Sequence, residues 1–148
     1  MSYSDTIEAL YTTYKPKALE VLGEIATAAR TRGFVCEEPF DMSDDVYRWA
    51  LLIRQEGAPP DSGVDVVITI AESNEYDGEG DGVNFMLDMT EYGGLIVGGV
   101  APYNFTPDVW VKAADADAVR ARWDLFMECF SPASVIDRIV EFNERKAA

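Results

Sequence analysis

The chain has 148 residues, of which 27 are acidic, 12 are basic and none is histidine, so its net charge is −15. Without histidine it cannot carry a Ser-His-Asp triad, a Cys-His dyad or a histidine-ligated metal. A chain this acidic is repelled by phosphate backbones, which argues against nucleic-acid binding by electrostatic attraction. One hydrophobic core is sufficient at this length, and we expect a single domain over residues 1–148.

The chain begins with the pattern of an amphipathic helix. From Asp5 onward, apolar residues recur at steps of three and four as far as Ala29. Asp5 is the expected N-cap, and Gly33 is the expected stop after the last turn. Pro16 predicts either a kink or a break near Tyr14, because proline lacks the N–H that the helix needs there.

Between residues 34 and 112 the apolar period changes to two. Three stretches alternate strictly and predict strands with one apolar face each, at residues 47–54, 64–71 and 83–90. Shorter candidates lie at residues 34–36, 95–97 and 109–111. The connections are too short for crossover helices, so we expect neighbouring strands to pair antiparallel as a meander.

The helical period returns near the C-terminus. Asp115 is the expected N-cap of one helix, and Ser131 with Pro132 begins another. The apolar stripe of the first of these helices comprises Val119, Trp123, Phe126, Met127 and Phe130. The predicted fold is therefore α+β: an antiparallel meander sheet of about five strands, covered on one face by an N-terminal helix and two C-terminal helices.

The excess of acidic residues lies in the middle of the chain. Residues 34–112 hold sixteen acidic residues against Arg48, Arg54 and Lys112, a net charge of −13, whereas residues 1–33 are neutral. We expect these charges on strand faces and loops, on one side of the molecule. They either keep the sheet soluble and prevent edge-to-edge pairing, or they form a docking face for a cationic partner.

One glycine-rich loop has the spacing of a cation site. Asp77, Glu79 and Asp81 occupy positions 1, 3 and 5 of a loop like that of an EF-hand, and Asp88 falls at position 12. The flanking strands argue against such a site, and acidic hairpin loops also occur without metal. We expect no cofactor, with Ca²⁺ or Mg²⁺ binding at these four residues as the alternative.

An aromatic segment over residues 102–110 is the best candidate for recognition. Its prolines exclude it from a central strand, so its large side chains either fold back on the core or face a partner. Asp65 is expected on the acidic sheet side next to this patch. The aromatic candidates, including two from neighbouring loops, are Tyr76, Tyr92, Tyr103, Phe105 and Trp110.

Catalysis has few candidate groups in this chain. An outward row of Asp65, Glu72 and Asp88 would be the source of a carboxylate pair for glycosidic cleavage. No stretch couples an activated nucleophile to a base, so we expect no enzymatic activity. Cys36 and Cys129 are expected as free thiols of a cytoplasmic protein, and no apolar run is long enough for a membrane helix.

These patterns favour a non-enzymatic cytoplasmic protein whose acidic sheet side holds a basic protein partner. The element order is similar to that of small bacterial secretion chaperones and toxin-immunity proteins, which implies a chaperone-like or immunity-like role. The alternative is a domain that binds a small molecule, Ca²⁺ or Mg²⁺ at residues 77–88, with or without hydrolysis. A DNA mimic is a third hypothesis. The expected partner is a basic protein, without nucleic acid or membrane, and the sequence also allows a homodimer.

Overall fold

A computed structural model describes residues 3–41, 47–60, 62–73, 81–91 and 103–147. The α+β fold is confirmed, with three helices packed against an antiparallel sheet. No described helix is both long and apolar enough to cross a membrane. The elements are α1 (Tyr3–Thr31), β1 (Phe34–Cys36), β2 (Phe40–Asp41), β3 (Tyr47–Gln55), β4 (Val64–Ser73), β5 (Gly82–Glu91), β6 (Tyr103–Asn104), β7 (Val111–Lys112), α2 (Ala116–Glu128) and α3 (Pro132–Ala147).

The strands form one antiparallel sheet in the order β1-β3-β4-β5-β6, with β2 also beside β3 and β7 also beside β5. The three alternating stretches and the candidate at residues 34–36 are confirmed as strands. The candidate at residues 109–111 shortens to Val111–Lys112, and β2 and β6 were not expected because two residues show no period. The candidate at residues 95–97 lies outside the described residues.

Helix α1 is continuous through Pro16, so the expected break near Tyr14 is wrong. Tyr14 and Ala18 lie on either side of the proline and are both buried in the core. Their packing holds the helix together across the turn where Pro16 lacks an N–H. The helix begins at Tyr3, so Asp5 lies in its first turn and not at the N-cap.

The C-terminal helices begin where the sequence predicts. The Asp115 carboxylate accepts a hydrogen bond from the Ala118 N–H at 3.1 Å, and the Ser131 hydroxyl accepts one from the Ser134 N–H at 3.1 Å. Each interaction satisfies one of the N–H groups that a helix start leaves unpaired. Met127 is exposed, so the apolar stripe of α2 is narrower than expected.

Both faces of the sheet matter for the site. The face that we call the core face packs against all three helices, and its centre is an aromatic cluster of Tyr14, Phe85, Trp123 and Phe126. The opposite face, which we call the second face, is formed by the alternate residues of the long strands. These residues are Arg48, Ala50, Leu52, Arg54, Asp65, Val67, Thr69, Asn84, Met86, Asp88 and Thr90.

Candidate functional site

Antiparallel pairing brings two acidic connections to the same end of the sheet. Tyr47 pairs with Ile70 and Ser73 pairs with Gly82, so the β2–β3 and β4–β5 connections both start and finish at this end. We call this region the acidic end and define it by the described residues Glu8, Asp41, Glu72 and Asp81. The sequence of the two connections, residues 42–46 and 74–80, adds five acidic residues and no basic one.

The N-terminal half of α1 supplies two half-buried tyrosines, Tyr3 and Tyr11, to the acidic end. The Tyr3 hydroxyl donates to the Gly82 carbonyl at 2.8 Å and accepts from the Ser73 N–H at 3.1 Å. The Tyr11 hydroxyl donates to the Asp41 carboxylate, and the Tyr11 ring lies 5.2 Å from that of Tyr47. These contacts fix the helix on the strand ends and leave aromatic surface beside the carboxylates.

The charges of the acidic end act on these tyrosines. Burial raises the pKa of Tyr47 first, and the carboxylates of Glu72 and Glu8 raise it further. Burial also raises the pKa of Tyr3, with additional contributions from Glu72 and Asp81 in the same direction. The carboxylate contributions to these shifts reflect a negative local potential, and a negative potential favours cations such as ammonium or guanidinium groups.

One lysine of the chain already shows how the acidic end holds a cation. The Lys15 Nζ lies 3.3 Å from the Asp41 carboxylate and 5.8 Å from the centre of the Tyr11 ring. A hydrogen bond to Asp41 is the main cause of the raised pKa of Lys15, followed by the charge of Tyr11. Carboxylate and tyrosine ring together are a common arrangement for recognition of basic side chains.

The acidic end was not singled out in the sequence because its tyrosines have helical spacing. Tyr11 and Tyr14 fit the apolar stripe of α1, and only Tyr14 is fully buried. The signal that would have found the site is the presence of Tyr3 and Tyr11 in a helix start, together with two acidic connections that a meander must bring together. Pairing register, and not local pattern, joins these residues.

The second face does not carry the excess acidic charge, contrary to expectation. In the described strands it has the carboxylates of Asp65 and Asp88 and the guanidinium groups of Arg48 and Arg54, so its formal charges balance. The other acidic side chains of the strands lie at strand ends. Among the described strands, the unbalanced carboxylates therefore lie at strand ends and not on the second face.

Asp65 is buried, contrary to the expectation that it lies on an outward row. It is 8% exposed, and burial raises its pKa to about 6. Burial also raises the pKa of Asp88, against a lowering effect of Arg48. Glu72 pairs with Val83 and has the alternation of the core face, so it does not join Asp65 and Asp88 in a row. A direct contact of Asp65 with a protein partner stays a prediction.

Two of the aromatic candidates are folded back against the protein. The rings of Tyr103 and Phe105 pack edge to face at 4.5 Å, and both contact the core. The Arg138 guanidinium lies 3.9 Å from the centre of the Tyr103 ring and donates to its hydroxyl at 3.0 Å. Since α3 already occupies the Tyr103 ring, little of it is left for a partner.

Trp110 is half-buried, and its indole N–H donates to the Asp108 carboxylate. The neighbouring Val109 is exposed and is the apolar side chain that this segment offers most openly. Tyr76 and Tyr92 lie outside the described residues. A recognition role for the aromatic segment stays a prediction.

Arg122 holds the aromatic segment in place and was missed in the sequence. Its side chain is 2% exposed and donates to the carbonyls of Phe85 and Val109, both at 3.0 Å, and of Pro107 at 3.3 Å. Burial lowers the pKa of Arg122. A lone arginine within an apolar helix stripe gives no local signal of this role, which depends on how the chain turns after β6.

The geometry does not support the alternative of one cation site formed by all four residues, Asp77, Glu79, Asp81 and Asp88. Asp81 precedes β5 and Asp88 lies near its far end, and the strand pairs without interruption from Gly82 to Glu91. At about 3.3 Å per residue the two positions are about 23 Å apart, too far to bind one ion. No group of three metal-ligating side chains occurs within the described ranges. Asp77 and Glu79 lie outside them, so their role stays a prediction.

Comparison of the chain with protein-family models, with curated proteins and with solved structures gives no match.

Proposed function

We propose that this protein is a non-enzymatic binding protein that docks a lysine- or arginine-rich segment of a protein partner on its acidic end. The proposal narrows the expected acidic sheet side to one end of the sheet. It rests on one observation: strand pairing and the packing of α1 place Glu8, Asp41, Glu72 and Asp81 beside half-buried tyrosines. Carboxylates give long-range attraction, and the tyrosine rings give contact area for basic side chains.

The cations already present leave most of this charge unbalanced. Lys15 pairs with Asp41, and Lys112 lies opposite Gly82 on β7. Against these two stand the described carboxylates of the acidic end and the five acidic residues in the sequence of its two connections. A negative region of this kind accelerates encounter with a positively charged partner, and the acceleration falls as salt screens it.

We also propose a cytoplasmic location. Cys36 and Cys129 are both free thiols, as the sequence predicts. Free thiols in a protein with no disulfide among its described residues are typical of a reducing compartment.

The experiment is a stopped-flow measurement of the association rate of a fluorescent decalysine peptide at several salt concentrations. The double variant Asp41→Asn with Glu72→Gln removes two charges from the acidic end. We expect it to lower the association rate at low salt by about threefold to tenfold, because steering depends on local potential. The matched control, Asp124→Asn with Glu128→Gln, removes two exposed charges from α2 and should change the rate by less than about twofold.

Equal slowing by both double variants would contradict the proposal, because it would mean that only the net charge matters. A flat dependence of the association rate on salt would contradict it as well. Tyr47→Leu tests the contact area separately. It should leave the association rate nearly unchanged and raise the dissociation rate several-fold, since short-range contacts act mainly on dissociation.

A further inference from the structure

Asp65 and Thr90 face each other on the second face, and both are buried without a polar partner among the described residues. They are direct register partners on β4 and β5, so their Cβ atoms project to one side about 5 Å apart. Asp65 is 8% exposed and Thr90 is 3% exposed. Thr90 Oγ1 has no hydrogen-bond partner. No described residue donates a hydrogen bond to the Asp65 carboxylate or forms an ion pair with it.

The charged groups around Asp65 do not neutralise it. Arg48 and Arg54 of β3 and Asp88 of β5 share the second face with it. Arg48 acts on Asp88, whereas burial is the sole cause of the raised pKa of Asp65. Arg54 lies two residues from Leu52, the register partner of Asp65, and forms no ion pair with Asp65 among the described contacts.

A buried carboxylate without hydrogen bonds or counter-charge is strongly unfavourable. A ligand that relieves this cost must be positive and must donate hydrogen bonds, because both Asp65 and Thr90 Oγ1 can accept them. An ammonium group is positive and carries three donors. Asp88, diagonal to Asp65 across the strand pair, is a third acceptor on the same face. An anion would be repelled here, and a neutral donor would leave the negative charge uncompensated.

We propose that Asp65 and Thr90 form a binding site for an organic ammonium group, with Asp88 as the third acceptor. The site is independent of the docking function proposed above, because the length of β4 separates it from the acidic end. Asp65 is the second residue of this strand and Ser73 is its last, which places them about 26 Å apart. The ammonium group would come from a free primary amine or from a lysine side chain of a partner.

The first test is carboxyl ¹³C NMR of Asp65 as a function of pH, with n-butylammonium chloride or tetramethylammonium chloride at equal concentration. Butylammonium should lower the measured pKa of Asp65 by about half a unit or more, because a bound cation favours the charged form. Tetramethylammonium has the same charge and no N–H donor, so it should have much less effect. Equal shifts with the two salts, or no shift with either, would overturn the proposal.

The second test uses variants and thermal unfolding. Butylammonium should raise the melting temperature of the natural chain and of Thr90→Ser, which keeps the hydroxyl. It should have little effect on Thr90→Val and none on Asp65→Asn. The matched control is Glu128→Gln, an exposed carboxylate on α2 away from both proposed sites, which should respond as the natural chain does. A full response in Asp65→Asn, with its fold confirmed by circular dichroism, would overturn the site.

Decalysine distinguishes the two sources of the ammonium group. If Asp65→Asn weakens decalysine binding as well as butylammonium binding, a lysine side chain enters the site. If it weakens only butylammonium binding, the ligand is a free amine. Failure of decalysine to bind the natural chain at low salt would contradict the docking proposal and would leave the butylammonium result intact, so the two proposals can fail separately.

Discussion

The core face of the sheet is buried almost throughout, whereas the second face mixes buried and half-buried residues and differs in chemistry. On the core face Trp49, Ile68 and Phe85 are 0% exposed and pack against the helices. On the second face Ala50 and Asn84 are also 0% exposed, and neither is part of the core cluster. Alternation of apolar and polar residues is usually taken as the sign of one buried and one solvated face. Here a polar position along a strand does not mean an exposed one, and the buried polar groups of the second face call for an explanation other than solubility.

The largest difference between the faces should appear on removal of a core aromatic ring. The Phe85 ring contacts those of Tyr14, Trp123 and Phe126. Phe85→Ala should therefore destabilise the fold by about 3–5 kcal/mol, measured by urea unfolding. Val67→Ala on the second face removes a smaller buried side chain and should cost about 1–2 kcal/mol. Equal losses would mean that the two faces contribute alike to stability.

A variant of Arg122 tests how much the edge of the sheet, where the two faces meet, contributes to stability. Arg122→Met keeps most of the side-chain volume but removes the donors to the carbonyls of Phe85, Val109 and Pro107. Leaving buried acceptors unpaired should cost about 3 kcal/mol. Hydrogen exchange of the Leu87 and Phe105 amides should also become faster, because these amides lie in the anchored strand and segment. A stability within about 0.5 kcal/mol of the natural chain would show that the anchor is dispensable.

The second face should also give the protein a pH dependence. The pKa of Asp65 is raised to about 6 by burial, so the folded state holds a proton that the unfolded state releases near pH 4. Stability should therefore fall as pH rises from about 4 to about 6 and then level off. Asp65→Asn removes this decline, and it should be more stable than the natural chain by about 2 kcal/mol at pH 7.

Urea unfolding from pH 4 to pH 7 measures this effect. The charged neighbours Arg48, Arg54 and Asp88 stay the same in both chains, so the difference reports Asp65. Glu72→Gln, exposed on the same strand, should show no such pH-dependent gain. Parallel pH profiles for Asp65→Asn and the natural chain would contradict the burial of the Asp65 charge.

Sequence periodicity was sufficient for the elements with long repeats. The helices, the three long strands and the cap at Asp115 follow from spacing, because each buries one periodic face. The two-residue strands β2 and β6 have no period, and the hydrogen bonds of Arg122 depend on a turn that no local rule specifies. The candidate site is harder to predict from the sequence than these elements. The acidic end exists because strand pairing and the packing of α1 bring together Asp41, Glu72 and Tyr11, which lie in three different elements. The burial of Asp65 shows that a polar position in an alternating strand can be buried.

The smallest expected effect concerns Asp41, whose carboxylate has the partners Tyr11 and Lys15. Asp65, in contrast, has no such partner among the described residues. Tyr11→Phe removes the hydroxyl that donates to Asp41 but keeps the ring stacked 5.3 Å from that of Trp49. Because this hydrogen bond is exposed, its loss should cost at most about 1 kcal/mol of unfolding free energy. Tyr11→Ala also loses the stacking and should cost more.

The same variant tests docking at the acidic end. If docking uses the carboxylates there, Tyr11→Phe should bind decalysine slightly faster, because Asp41 then accepts one hydrogen bond fewer. A slower association than in the natural chain would instead mean that the hydroxyl itself contacts the partner, and the tyrosines would then share the role assigned here to the carboxylates.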